Sequence, residues 1–185
     1  MRILTSVLLC VTIGLAQAPK EPPKQAPKEP PKQAARKPPP FSILRPNAAP
    51  LPLSQYRGKV VALTFISELC SHCQALTVQL NPIATEFAPR GVQFLECAIN
   101  DGADAGLKEF TMKFQPAFPV GWATRESMLS FTGVPPTDVY ATYVPRMVFL
   151  DRQGVIRDDF DPGADFYRNP PAAIRAELEK LLKKN

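Results

Sequence analysis

Two cysteines three positions apart, in Cys70-Ser71-His72-Cys73, stand where a strand-like run gives way to a helix-like one. No other feature limits the possible folds as strongly. Residues 59–66 are almost wholly apolar and rich in β-branched side chains, the composition of a strand covered on both faces. Across residues 71–88 apolar side chains recur at Ala75, Leu76, Val78, Leu80, Ile83, Ala84 and Phe87, a helical spacing in which Pro82 is expected to introduce a kink. Two thiols at the head of a helix can form a disulfide that opens and closes reversibly, so the chain is read as one that handles electrons through sulfur.

The alternation continues beyond the motif. Gly91 marks a turn, residues 92–99 read as a second strand, and residues 105–114 as a second helix with Asp104 as its cap. A short helix over residues 124–131 is broken by Gly133-Val134-Pro135-Pro136, and the stretch up to Tyr143 reads as an inserted loop. Residues 146–151, a turn at Arg152-Gln153-Gly154 and residues 155–160 make a hairpin. Residues 170–184 close the chain as an amphipathic helix with Ile174, Leu178, Leu181 and Leu182 on one face. Residues 51–58 read as an irregular lead-in. This order predicts an α/β fold, a central mixed sheet flanked by helices. Phe65, Phe94, Phe110, Phe114 and Phe149 are assigned to its core, and Cys97, inside an apolar strand, to the role of a buried small hydrophobe.

The first forty residues are of another kind. Residues 1–18 carry one positive charge at Arg2, an apolar run over residues 3–15 and then Ala16-Gln17-Ala18, the pattern of a secretory signal peptide. The run is shorter than the roughly 20 residues a membrane-spanning helix needs. The octad APKEPPKQ then occurs twice in succession, and residues 19–40 hold nine of the 22 prolines and no bulky apolar side chain. Such a segment cannot bury enough surface to offset its ordering entropy and is expected to be a disordered Pro/Lys-rich linker. At about 3.1 Å per residue it could reach roughly 70 Å. The domain proper is placed at residues 41–185. It holds fifteen basic and fifteen acidic residues, whereas the linker holds six basic and two acidic ones. A neutral domain argues against a nucleic-acid partner, and a basic flexible linker suits weak contact with an anionic surface.

Within the motif, the free N–H groups and the dipole at the start of a helix favour a thiolate on Cys70. His72, the only histidine, can add a charge or a hydrogen bond. Competing uses of the thiols are poorly supplied. A structural disulfide across so small a ring restrains the unfolded chain little. A metal site lacks a second Cys-x-x-Cys or a distal histidine, and covalent haem attachment would need histidine where Gln74 stands. No cofactor and no metal are expected.

Three stretches bring a family into view. "LSQYRGKVVALTF", "CSHC" and "VPRMVFLDRQGVI" resemble the lead-in and first core strand, the redox motif, and the cis-proline strand with its hairpin in the TlpA/ResA-like thioredoxins, the extracytoplasmic thiol-disulfide oxidoreductases of bacteria. The resemblance covers residues 51–185, with "FPV" at 118–120 as a weaker marker. It implies a thioredoxin-like fold and a periplasmic or cell-envelope location. It implies that Cys70 attacks and Cys73 resolves, and that Val144-Pro145 is a cis peptide bond beside them, where Val144 would pair with a bound substrate peptide. Partners would be protein thiols and disulfides, with an upstream thiol donor in the membrane. Two positions depart from the family's pattern. Thr64 stands where many thioredoxins carry a buried proton-accepting acid, which leaves Asp101 and Asp104 as candidate acceptors and Glu68 as a solvated loop charge. Leu69 replaces the usual tryptophan before the first cysteine; Trp122, the only tryptophan, is assigned to packing. A histidine inside the motif resembles disulfide-forming oxidases and isomerases, whereas the fold resembles the reductases. Reduction is favoured slightly over oxidation or isomerisation, with a non-catalytic peptide-binding module as the further alternative.

Overall fold

A computed structural model describes residues 35–183. The signal peptide and most of the linker assigned from the sequence lie outside the described residues. Seven strands form one sheet: β1 (Ser42–Arg45), β2 (Ala48–Pro52), β3 (Val60–Ile66), β4 (Val92–Ala98), β5 (Val120–Trp122), β6 (Arg146–Leu150) and β7 (Ile156–Phe160). Their order across the sheet is β2-β1-β5-β4-β3-β6-β7. β3 lies at its heart, parallel to β4 and antiparallel to β6. Every residue of β3 is buried, as an apolar run without alternation requires of a strand covered on both sides.

Among the described residues four α-helices cover the sheet: α1 (Ser71–Phe87), α2 (Ala103–Phe114), α3 (Arg125–Thr132) and α4 (Pro170–Lys183). Side chains alternate in direction along a strand, so Ala62, Phe94, Met147 and Phe149 pack with Leu80, Ile83 and Phe87 of α1 and Ile174, Leu178 and Leu181 of α4. Leu63, Phe65, Leu95 and Val148 point the other way, onto Met128 and Phe131 of α3 and Phe41 and Ile43 of the N-terminal hairpin. At the carboxyl ends of β3 and β4, Ile66 and Ala98 join Cys73 and the α2 residues Ala103, Leu107 and Phe110 in a third cluster. The thiol pair sits there.

Several sequence expectations change. α1 runs through Pro82 to Phe87 with Ile83, Ala84 and Phe87 still buried, so the missing N–H falls within a helix whose core face is continuous. The N-cap of α2 is Gly102 at φ 74°, and Asp104 lies in the first turn instead of capping it. β1, β2 and β5 were not anticipated. Gly121 of β5 permits β1 to approach, because a Cβ there would overlap Leu44 O and lie 2.5 Å from Ile43 Cγ2. The chain also joins the fold before residue 41: Arg36 exchanges two backbone hydrogen bonds with Ile156, donates to Thr132 O and pairs with buried Asp159 at 3.1 Å. Arg146, directly after Pro145, meets the same carboxylate at 2.7 Å.

Candidate active site

β3 ends at Ile66 and the chain turns tightly before α1, with the Cys70 N–H donating to Ser67 O at 3.1 Å and the Leu69 N–H to Ser67 Oγ at 3.2 Å. Cys70 is thereby the N-cap of α1. Its Sγ accepts the Cys73 N–H at 3.4 Å, taking up one of the free donors of the first turn. Cys70 is half-buried and Cys73 has no exposed surface. Both are free thiols. The Cys73 thiol is pushed far above its ordinary range, first by burial and then by its hydrogen bond with Cys70, with charges on Cys70 and Glu96 adding to the effect against a lowering contact from Ser67. Cys97 is buried on the opposite face of the sheet, in the cluster with Phe65 and Leu95.

Val144-Pro145 is cis, and Val144 packs with Cys70 and Trp122 against the cluster that holds Cys73. Val144 is thereby brought to the cluster that holds Cys73, from which it is distant in sequence. His72 is exposed in the first turn of α1. Leu69 is 78% exposed beside Cys70.

Asp101 and Asp104 are both exposed at the start of α2. The acid buried at the site is Glu96 of β4, which has no exposed surface. Its burial pushes the carboxyl up to about 8, against the opposing hydrogen bond from Thr77. Thr77 Oγ1 lies 2.9 Å from Glu96 Oε1 and 3.0 Å from Cys73 O. A hydroxyl has one proton and a backbone carbonyl can only accept. The Thr77 hydroxyl therefore shares its one proton between the Glu96 carboxyl and the Cys73 carbonyl, and its donation to Glu96 offsets only part of the rise that burial causes. Glu96 pairs in register with Thr64 of β3; Glu96 Oε2 and Thr64 Oγ1 are both buried without a partner. The sequence carried a signal for Glu96, since it is the one charge inside the run Val-Gln-Phe-Leu-Glu-Cys-Ala.

Glu68 differs from its reading as a solvated charge. It is 7% exposed, accepts the Asn100 amide on Oε1 at 2.9 Å and lies against the backbone of α2 at Gly106. The side chain turns inward because α2 offers a place with no Cβ.

The chain matches the family model described as the AhpC/TSA family over residues 34–159. Among solved structures it is similar to a thiol:disulfide interchange protein of the thioredoxin family from Chlorobium tepidum TLS, at 20% identity and a TM-score of 0.66 over 81% of this chain and 98% of that one. It is also similar to a thiol:disulfide interchange protein from Bacteroides sp., at 13% identity and a TM-score of 0.63 over 80% and 90% of the two chains. A third likeness is to a secreted Mycobacterium tuberculosis disulfide oxidoreductase homologous to E. coli DsbE, at 20% identity and a TM-score of 0.55 over 74% and 95%. No curated protein matches in sequence. These likenesses establish the thioredoxin-like fold.

Proposed function

The chain belongs to the AhpC/TSA family, and from that footing we propose that it is an extracytoplasmic thiol-disulfide oxidoreductase that reduces disulfides in other proteins through Cys70 and Cys73. The observation that carries the proposal is the asymmetry of the pair. Cys70 is reachable at the head of α1, and Cys73 lies sealed behind it against the cis-proline turn. The Cys70 thiolate attacks a substrate disulfide, forming a mixed disulfide and releasing one substrate thiolate. Cys73 then gives up its proton and attacks Cys70 Sγ, which closes the internal disulfide and releases the second substrate thiolate. Two electrons pass to the substrate, and a thiol donor outside this chain must return them.

A thiol held as high as that of Cys73 needs a proton acceptor. Glu96 serves better than the exposed Asp101 and Asp104, because a carboxyl near 8 exchanges protons close to neutral pH, where general acid-base catalysis is most effective. The reducing direction is supported by the resemblance of the lead-in, first core strand and cis-proline hairpin to those of the TlpA/ResA-like thioredoxins. Val144 is the expected docking edge for the substrate backbone. The extracytoplasmic placement is supported by the signal-like residues 1–18 and by likeness to a protein described as secreted. The basic linker serves as a spacer.

The test is the reduction potential of the pair against glutathione, with trapping of a mixed disulfide by Cys73→Ala. A value near roughly −270 mV supports a reductase. A value near about −120 mV would favour the oxidase or isomerase reading that exposed His72 suggests. No trapped species, and peptide docking that survives Cys70→Ser, would leave only a binding module.

A further inference from the structure

Glu68 takes no part in the chemistry above, yet it occupies the most exacting position near the thiols. It stands two residues before Cys70 in the turn that ends β3. Its backbone O accepts the Gln74 side-chain amide at 2.7 Å, tying the turn forward to α1. Its carboxylate accepts from Asn100 at 2.9 Å, tying it sideways to the segment after β4. A Cβ added at Gly106 would lie 2.7 Å from Glu68 Oε1, 2.9 Å from Cγ and 3.2 Å from Cδ. All three nearest atoms belong to Glu68, so the glycine is a keyhole for this one side chain. Burying a carboxylate with an oxygen left unpartnered is costly, and Glu68 Oε2 is such an oxygen.

We propose that Glu68 is a positioning residue for Cys70: locked between Asn100 and Gly106, it fixes the turn so that the Cys70 sulfur stays on the Cys73 N–H at the head of α1. The proposal rests on the exchange reaction given above. Cys70 also packs against the apolar cluster of Ala103, Leu107 and Phe110, but among the described residues Glu68 makes the turn's one side-chain hydrogen bond to the segment that enters α2. Ser67 and Cys70 bond only within the turn and to the first residues of α1. Without the lock the segment between Ile66 and α1 keeps its local hydrogen bonds but loses its fixed relation to α2. A small misplacement of a reacting atom is enough to cost a large factor in rate.

Four proteins test it: Glu68→Ala, Glu68→Gln, Gly106→Ala and the double variant Glu68→Ala/Gly106→Ala. Two quantities are read, the rate constant for exchange with a disulfide-linked cysteine peptide and the equilibrium constant with glutathione. Glu68→Ala should slow exchange about tenfold and displace the equilibrium constant by a comparable factor, about 30 mV. Glu68→Gln should restore both to within about twofold, because its amide oxygen still accepts from Asn100 and its N–H supplies a donor where Glu68 Oε2 and Asn100 Oδ1 have none. Gly106→Ala should slow exchange as Glu68→Ala does, and have no further effect once Glu68 is alanine. Glu68→Ala that lowers Tm while leaving rate and equilibrium unchanged would overturn the proposal, as would a Gly106→Ala effect that persists in the double variant. Failure of the unaltered protein to exchange with any peptide would instead remove the proposed function. The glutathione equilibrium would still report on the lock.

Discussion

Replacing Glu96 by glutamine isolates the charge buried beneath the cysteine pair. The side chain keeps its shape and its contact with Thr77, and only the ionisation is removed. In the reduced folded protein the Glu96 carboxyl is pushed up to about 8 from an ordinary 4.5. Between those two values the folded chain holds a proton that the unfolded chain has released. Stability therefore falls as pH rises through the window. Below it both states are protonated and there is no penalty, and above it the fold carries the whole cost of a buried charge. At about 1.4 kcal/mol per pH unit the loss amounts to about 5 kcal/mol across the window, a large share of the stability of a domain this size. Glu96→Gln has no such slope. Urea unfolding of the reduced proteins at about pH 5, 6.5 and 8.5 should show a variant that matches the unaltered protein at the lowest pH and exceeds it by several kcal/mol at the highest. A difference independent of pH, or one that moves in favour of Glu96 as pH rises, would refute the reading of this residue as a buried proton carrier.

Thr77→Val removes the one contact that lowers the Glu96 carboxyl, so the pH midpoint of the exchange rate should move upward, as a pH-rate profile would register. Arg146→Ala leaves buried Asp159 with only Arg36 and should cost about 3–5 kcal/mol in urea unfolding. Arg36→Ala, which leaves the Arg146 pair intact, should cost only about 1–2 kcal/mol. Exchanging the paired residues, as Thr64→Asp with Glu96→Thr, should recover the pH dependence of peptide exchange that Glu96→Thr alone abolishes.

Local pattern was enough to read the elements that make the centre of the sheet. β3 and β4 are apolar runs bounded by turns, α1 and α4 have helical spacing, and β6 and β7 flank an Asp-x-x-Gly turn. The elements that escaped are short or depend on distant partners. β1 and β2 are short, β2 contains two prolines, and they pair as a hairpin with a register shift that joins β5 only through Leu44 and Trp122. β5 is three residues long, too short to show an alternation of its own. Glu68 was misread for the same reason, since what draws it inward is Gly106, thirty-eight positions along the chain. The cysteines, by contrast, were legible because a thiol pair at a strand-to-helix junction has few other uses.

The position of the acid follows from sheet geometry. Thr64 stands on β3 where the resemblance leads one to look for a buried carboxylate, and Glu96 is its parallel partner on β4. Paired residues in adjacent strands lie about 5 Å apart and point to the same face. Moving a carboxyl from one strand to the next therefore keeps it under the helix that begins with the redox motif. Moving it one residue along the same strand would send it to the opposite face, toward α3 and Cys97. A long side chain such as glutamate covers the extra strand spacing, and Thr77, one turn after Cys73 on α1, meets it from above at 2.9 Å. The burial that raises the carboxyl to about 8 comes from the same packing that seals Cys73, so the difficulty of ionising the resolving thiol and a nearby group suited to take its proton arise from one feature of the fold.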